Sequence, residues 1–190
     1  MTTVLKLNID ELDTKFIENL KQEFAHSSLE IHVQEQPGAS NSITEDEFWQ
    51  LITLLDWTQE DDDAAVVEPL IKELESRSLA HIYRFSDLLS EKLWNLDTRR
   101  HAQVFRDDPE EEGYLSADDF LYARCAVVAN GRDYYQRVLD YQIEMPAELT
   151  FEPLLYVAMT AYNRKTGKDF VAEPAFQYET YSNKKGWEKP

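Results

Sequence analysis

The sequence predicts a mostly α-helical protein: a bundle of about six helices, preceded by a small strand-helix-strand appendage. Apolar residues recur at helical spacing through most of the chain, and two short alternating patterns flank one helical pattern near its start. The length of 190 residues suits one compact domain with a small addition. We therefore divide the chain into an appendage, residues 1–36, and a helical domain with an extended aromatic tail, residues 42–190.

The appendage is predicted from two alternating patterns around a helix. Residues 3–8 alternate apolar and polar side chains, and so do residues 29–35, which predicts two strands. Asp10 is expected to cap the helix between them. Because two strands and one helix bury little surface and leave open strand edges, the unit needs a packing partner. A homodimer through residues 1–36 is one prediction, and a partner protein on the same edge is the other.

Helix signals follow one another after a linker at residues 36–41. Thr44 and Glu47 form a capping box for the first helix of the domain. The aspartates at 61–63 open the second helix, where negative charge complements the helix dipole. A third helix is predicted from residue 79 to beyond residue 96.

The second half of the domain continues this pattern. Ser116 is predicted to cap a fourth helix, whose nearly all-apolar sequence indicates a central position, and Gly131 to end it. An aromatic-rich fifth helix follows over residues 133–141, and Thr150 is predicted to cap a sixth. The tail has no helical period, but its aromatic residues indicate that it lies across the helices; they are Phe170, Phe176, Tyr178, Tyr181 and Trp187.

A formal net charge of −18 dominates the composition. Such a surface repels nucleic acid phosphates and anionic lipid and attracts a basic protein, although solubility alone would also account for it. From residue 45 to residue 75, eleven side chains are acidic and one, Lys72, is basic. The expected partner is a basic protein, with no nucleic acid and no membrane.

The composition also limits the chemistry and location that we expect. The single cysteine, Cys125, excludes an intramolecular disulfide, and its apolar surroundings predict a buried, inert thiol. The sequence lacks the Cys/His clusters of a zinc site and any run of about 18 apolar residues. Residues 1–10 contain no basic stretch that leads into an apolar run. We expect a cytoplasmic protein without a cofactor or metal.

Four polar residues are candidates for a ligand site: Arg124, His101, Asp97 and Asn130. Arg124 lies in an apolar helix, where it needs an acidic partner such as Asp87 or Asp97, and it forms either a structural clamp or an anion site. A continuous helix would put Asp97 and His101 on one face, as a general base with its orienting carboxylate or as a structural ion pair. No serine or cysteine nucleophile is marked by its local sequence, so no catalytic residue is predicted.

An acidic loop at residues 108–119 resembles a calcium-binding EF-hand loop, with Gly113 in the sixth position. It departs from that pattern because glutamates occupy its third and fifth positions and an aspartate ends it. A solvated loop with Ser116 as a helix cap explains the same residues. The consecutive aspartates at 61–63 fan out around a helix start, so no metal site is predicted there either.

Several motifs of the helical domain resemble a known family. They are Phe48-Trp49 with Leu51-Ile52, Asp56-Trp57, Phe85-Ser86-Asp87-Leu88-Leu89 with Lys92-Leu93, Asp97-Thr98 with His101-Ala102, the run from Asp119 to Gly131 followed by Tyr134-Tyr135, and Ser182-Asn183 with Gly186-Trp187. With these motifs the chain resembles a bacterial domain family of unknown function, some members of which occur in proteins like regulators of molybdate metabolism. The resemblance implies a domain label and no activity. Residues 1–35 are similar to the leading segments of small bacterial antitoxin-like proteins.

Together these features predict an acidic protein-interaction module, in the form of an immunity or antitoxin-like protein that neutralises a basic partner. One alternative is a regulatory module that binds a small anion near Arg124 and His101. Another is a hydrolase that uses Asp97 and His101. The sequence does not reveal an enzymatic reaction.

Overall fold

The computed structural model describes residues 5, 7, 9–29, 31, 43–59, 62–105 and 115–188. Packing divides the chain into two units, residues 1–39 and residues 40–190. The first unit contains a 3-10 helix, Ile9–Glu11, and one α-helix, α1 (Thr14–Glu23). Asp13 caps α1, because its carboxylate accepts a hydrogen bond from Phe16 N at 2.7 Å. The prediction that Asp10 is the cap is wrong, since the 3-10 helix precedes α1.

The two strands predicted on either side of α1 are not seen in the described residues. Leu5, Leu7, Leu29 and Ile31 belong to no strand and are 39 to 68% exposed. The other residues of both predicted strands lie outside the described residues. A two-stranded unit needs a surface that buries its apolar face, and no residue described in this unit, α1 included, is buried.

The second unit is helical. Its α-helices are α2 (Glu45–Ile52), α3 (Asp63–Ser76), α4 (Leu79–Leu96), α5 (Ala117–Ala129), α6 (Arg132–Leu139), α7 (Val157–Thr166) and α8 (Lys184–Trp187). Two 3-10 helices, His101–Phe105 and Glu152–Tyr156, precede α5 and α7. The mostly helical class is confirmed, and the six predicted helices correspond to α2–α7. Among the described residues, no helix combines the length and apolar character needed to cross a lipid bilayer.

Most helix ends follow the predicted local signals. The capping box forms, with Thr44 N donating to Glu47 Oε2 at 2.7 Å and Glu47 N donating to Thr44 Oγ1 at 3.2 Å. Asp62 caps α3 and Ser116 caps α5 through their side-chain oxygens. Gly131 follows the end of α5 with a φ of 89°, which a glycine adopts readily. These boundaries are set by neighbouring residues.

The start of the last long helix does not follow its local signal. Thr150 was the predicted cap, but a 3-10 helix at Glu152–Tyr156 begins after Phe151, without a side-chain cap, and α7 begins at Val157. Phe151 is buried, and its N–H donates to Tyr122 O at 3.0 Å. A contact with α5 therefore sets this boundary.

Helix α5 lies at the centre of the second unit. Nine of its thirteen residues are buried, so it has no polar face and must be surrounded. It packs against α4, α6 and the 3-10 helix before α7. The tail covers this core, because Phe170, Tyr178 and Trp187 are partly buried against it. The prediction that the tail lies across the helices is confirmed.

Candidate functional site

Asp97 is a buried carboxylate that binds the C-terminal tail. It follows α4 directly and is 0% exposed. Its Oδ1 accepts hydrogen bonds from Tyr181 N at 3.1 Å and Trp187 Nε1 at 2.8 Å. Its Oδ2 accepts from Asn183 N at 2.9 Å and Ser182 Oγ at 3.2 Å. Because all four donors belong to the tail, the chain itself satisfies this buried charge.

The tail turn that Asp97 binds comes very close to the end of α4. Arg99 N donates to Gly186 O at 2.9 Å, and Gly186 N donates to Asn183 Oδ1 at 3.1 Å. A Cβ on Gly186 would lie 2.9 Å from Thr98 Cγ2 and 3.0 Å from Asp97 O. Only glycine allows this approach without a shift of the backbone.

Arg124 is the second buried charge at the tail and is 0% exposed on α5. Its Nη1 donates to Leu93 O at 3.0 Å and Tyr178 O at 2.9 Å, and its Nη2 donates to Thr180 Oγ1 at 2.9 Å. Its Nε is buried without a hydrogen-bond partner in the described part of the chain. Burial lowers the pKa of this guanidinium, and the negative charge of Asp97 opposes that change.

Asp97 and Arg124 together form what we call the tail clasp, which binds tail residues 178–187 from α4 and α5. The hydrogen bonds of Arg124 go to carbonyl and hydroxyl oxygens. Its predicted acidic partner, Asp97, therefore stabilises the positive charge of Arg124 by electrostatic attraction and not by a hydrogen bond. Asp87, the other predicted partner, instead accepts a hydrogen bond from Ala175 N at 3.0 Å. The arrangement is that of a structural clamp.

His101 does not share a helix face with Asp97, so that prediction is wrong. α4 ends at Leu96 and the backbone turns at Asp97, where ψ is 70°. The Nε2 of His101 lies 3.2 Å from Val138 O and its Nδ1 lies 2.8 Å from Thr98 Oγ1. Because a carbonyl only accepts, Nε2 carries the proton. Burial lowers the pKa of His101 to about 4, so the ring is neutral at pH 7.

Asn130, the fourth predicted site residue, lies exposed at the end of α5, where its Nδ2 donates to Ala126 O at 2.8 Å. The structure thus brings Asp97 and Arg124 together on the tail. His101 contacts α6 and Asn130 bonds within its own helix. A ligand-binding role for these four residues stays a prediction.

A groove that the sequence did not predict shares Tyr178 with the tail clasp. Its volume is about 380 Å³, and it lies between α4, α5, α7 and the tail. Its walls are formed mainly by apolar and aromatic side chains, namely Leu121, Tyr122, Leu155, Tyr156, Ala158, Met159, Phe170, Ala172, Pro174 and Tyr178. Ser86, Asp118 and Glu179 complete it. We call it the tail groove, and the residues described as lining it include no lysine or arginine.

Carboxylates set the charge of the tail groove. Asp118 and Glu179 line it and are exposed, and Glu152 lies beside it. The hydroxyl of Tyr156 donates to Glu152 Oε1 at 2.5 Å, and that bond raises the pKa of Tyr156 to about 12. Burial, followed by the charges of Glu152 and Asp118, raises the pKa of Tyr122. The exposed carboxylates of Asp118 and Glu179, together with Glu152 beside Tyr156, make the rim of the groove acidic, which favours a cation.

The sequence carries no local signal for this groove, because its residues come from segments that are distant along the chain. Ser86 lies on α4, Asp118 on α5, Met159 on α7 and Glu179 in the tail. Each residue has an ordinary interpretation in its own segment, such as a helix-dipole charge for Asp118. Only the packing of α7 and the tail beside α5 joins them.

A second depression, of about 460 Å³, lies beside α3 and is lined by Asp56, Gln59, Ala65, Glu68, Pro69 and Lys72. Here the main carboxylate is already compensated, because Glu68 binds Arg164 at 2.9 Å and Lys72 at 3.4 Å. Lys72 also lines the depression itself. This depression therefore presents less uncompensated negative charge to a cation than the tail groove does.

The acidic stretch at residues 45–75 is partly neutralised by cations from other elements. Lys92 binds Glu45 at 2.8 Å and Arg132 binds Asp46 at 2.6 Å. The Arg132–Asp46 pair is exposed, so it contributes little to stability. Both pairs reduce the charge that this stretch presents to a partner, which its composition alone did not reveal.

The remaining chemical candidates are resolved only in part. Cys125 is fully buried, as predicted, and burial raises the pKa of its thiol to about 12, which disfavours the reactive thiolate. Within the described ranges, no group of three or more His, Cys, Asp or Glu side chains could hold a metal ion. Residues 108–114 of the calcium-like loop lie outside the described residues.

Residues 43–164 match the model of a family described as protein of unknown function (DUF4240). The match covers more than half of the chain. The chain belongs to this family. The DUF4240 match spans α2 to α7 and includes Asp97, His101, Arg124 and Asn130, whereas the tail bound by the clasp follows it. No match is found among curated proteins or among solved structures.

Proposed function

We propose that this DUF4240 protein is an acidic protein-interaction module that binds a basic protein. The proposal rests on one observation: the chain has a large excess of carboxylates, and several of its cations are buried or bound to its own carboxylates. Its net charge is −18, yet several of its few cations are engaged internally. Lys92 and Arg124 are buried at 5% and 0% exposure, and Arg132 and Arg164 bind carboxylates of α2 and α3.

Exposed carboxylates therefore dominate the surface that a partner meets. Asp62, Asp63, Asp118 and Glu179 are exposed examples from different elements. A surface of one sign steers an oppositely charged protein and raises its association rate more than its affinity. This behaviour suits a protein that must find a basic partner rapidly.

The specific form of the proposal is neutralisation of that partner, as an immunity protein or antitoxin would achieve it. The resemblance to proteins like regulators of molybdate metabolism suggests a second setting, in which the basic partner belongs to a regulatory complex. Both the neutralising role and the regulatory role require an acidic surface, and neither requires catalysis by this chain.

The geometry favours this function over the two alternatives. An anion would need an accessible cation, but Arg124 is buried and binds its own tail. A hydrolase would need His101 oriented by Asp97, but His101 bonds to Thr98 and Val138. No observation supports a second candidate function.

The test is capture of partners by the full chain from a lysate of its source organism. At about 50 mM salt we expect basic proteins to be retained, and at about 500 mM salt we expect their association to slow steeply because exposed charges are screened. The association rate of the main captured protein is then measured by surface plasmon resonance across this salt range.

A charge-reduced variant provides the control. Replacing Asp62, Asp63, Glu144 and Glu148, which are exposed and do not line the tail groove, by their amides removes four charges and leaves the buried groups unchanged. The association rate should fall for this variant and the dissociation rate should change less. Capture of proteins no more basic than the lysate as a whole, or capture that ignores salt, would contradict the proposed function.

A further inference from the structure

The tail groove has the shape and lining of a site for one side chain and its neighbours. Its volume of about 380 Å³ lies near the lower end of the range of about 300–1,000 Å³ that ligand sites occupy. Leu121 and Ala158 form buried parts of the wall, while Tyr156 and Met159 are 46% and 39% exposed. The wall thus offers apolar surface that is still open to solvent.

The charges around the groove select the occupant. Asp118 and Glu179 line it and Glu152 adjoins it, without a lysine or arginine among the described lining residues. Aromatic rings in the wall, such as those of Tyr122 and Tyr156, can hold a cation over their faces. Lysine and arginine combine an apolar stem with a cationic end, so one side chain can use both parts of the wall.

The part of the tail that borders the groove favours a lysine or arginine that belongs to a protein segment. Residues 171–173 belong to no helix or strand and make no backbone–backbone hydrogen bond within the described part of the chain. Val171 is 86% exposed next to the lining residue Ala172. Open backbone and apolar side chains of this kind can pair with a peptide that runs alongside.

We infer that the tail groove binds a peptide segment of the basic partner, with an arginine or lysine between Asp118 and Glu179 and apolar neighbours against the tail. This inference rests on the proposed function and deepens it by naming the docking site. The tail clasp acts as a positioning device, because Arg124 binds the carbonyl oxygen of Tyr178, a residue of the groove wall.

The experiment measures binding of fluorescent peptides to the full chain by polarisation. The probe peptide alternates arginine and leucine. One control peptide replaces arginine by the neutral isostere citrulline, and a second replaces leucine by serine. We expect the probe to bind and the citrulline peptide to bind about tenfold more weakly or worse, because it leaves the carboxylates unpaired. The serine peptide should also lose affinity, since it loses the apolar contact.

Two matched pairs of variants place the probe in the groove. Glu179→Lys should weaken binding about tenfold, whereas Glu144→Lys, an exposed residue outside the lining with the same change in net charge, should have a much smaller effect. Ala172→Trp should block the groove, whereas Leu149→Trp, at a position that is 49% exposed and outside the lining, should not. Unchanged melting temperatures show that the variants are folded.

The outcomes separate the inference from the proposed function. If both lysine variants weaken the probe equally and neither tryptophan variant does, the acidic surface attracts the peptide but the tail groove is not its site. If spermidine competes as strongly as the probe peptide, the groove binds amines in general and the protein-segment inference is wrong. The lysate experiment tests the proposed function independently of both results.

Discussion

Single residues show how this protein manages buried charge. Asp97 and Arg124 are both 0% exposed, and they do not bond to each other. Asp97 accepts hydrogen bonds from the tail, and Arg124 donates to the tail and to Leu93 O. A buried charge is costly unless hydrogen bonds replace its water. The tail supplies these bonds, so ordering the tail and burying the two charges depend on each other.

His101 leads to a prediction about acid stability. In the unfolded chain a histidine takes up its proton near pH 6.5, whereas in the folded protein the pKa of His101 is about 4. Between these values the unfolded chain binds more protons, so the free energy of unfolding falls as the pH is lowered from about 6.5 to about 4. This residue accounts for a loss of at most about 3 kcal/mol.

Urea denaturation at a series of pH values checks this. His101→Gln keeps an amide N–H that can donate to Val138 O but does not titrate, so its stability should depend less on pH than that of the wild type in this range. Parallel profiles for the two proteins would show that His101 is not the cause.

At the level of elements, the tail completes the second unit. It is bound along α4 at Asp87, Ser90 and Asp97, and on α5 at Arg124. It also forms one wall of the tail groove. Because side chains from the region of α4 and from α5 bind the backbone of the tail, the tail has a fixed position although its sequence has no helical period.

Asp97→Ala tests this arrangement. The variant loses four hydrogen bonds to a buried carboxylate, and it loses the negative charge that stabilises the buried, charged form of Arg124. We expect a loss of about 3–5 kcal/mol in the free energy of unfolding, together with faster proteolysis of the tail. Denaturation followed by tryptophan fluorescence and limited proteolysis measure the two effects.

Asp87→Ala is the matched control on the same helix. Asp87 is only half-buried and accepts one hydrogen bond, from Ala175 N, so we expect its loss to cost about 1 kcal/mol. Equal costs for the two variants would mean that Asp97 has no special role in fixing the tail.

On the scale of the whole molecule, the two units differ in what they bury. The unit at residues 40–190 has a continuous core around α5, whereas the residues described in the unit at 1–39 include none that is buried. Leu29 and Ile31 are 68% and 65% exposed. Apolar side chains in this state are what an interface covers.

The predicted homodimer through residues 1–36 can be tested by analytical ultracentrifugation. We expect residues 1–190 to sediment as a dimer and residues 42–190 as a monomer, because the apolar surface of the first unit is removed. The circular dichroism of the shorter chain should remain helical, since it keeps the core. Monomers in both cases at about 100 μM would contradict the dimer.

The sequence by itself determined the helical class, the capped starts of α2, α3 and α5, and the central position of α5, because these depend on neighbouring residues and on apolar spacing. It also singled out Asp97 and Arg124 as unusual charges, since an arginine in an apolar helix needs compensation. Only the tertiary structure decided what compensates them. The tail donors follow Asp97 by more than eighty positions, and no local pattern predicts such a contact.

The same physical reason explains the failures. Helical spacing pairs Asp97 with His101, but α4 ends at Leu96, before both residues, and the backbone turns at Asp97. The strands of the appendage were predicted from alternation, which cannot supply the packing surface that a strand requires. The sequence does not predict the tail groove because its lining comes from α4, α5, the 3-10 helix before α7, α7 and the tail, each ordinary alone. Local chemistry sets where most of the helices begin, whereas packing between distant segments sets the start of α7 and the places where buried charges and grooves lie.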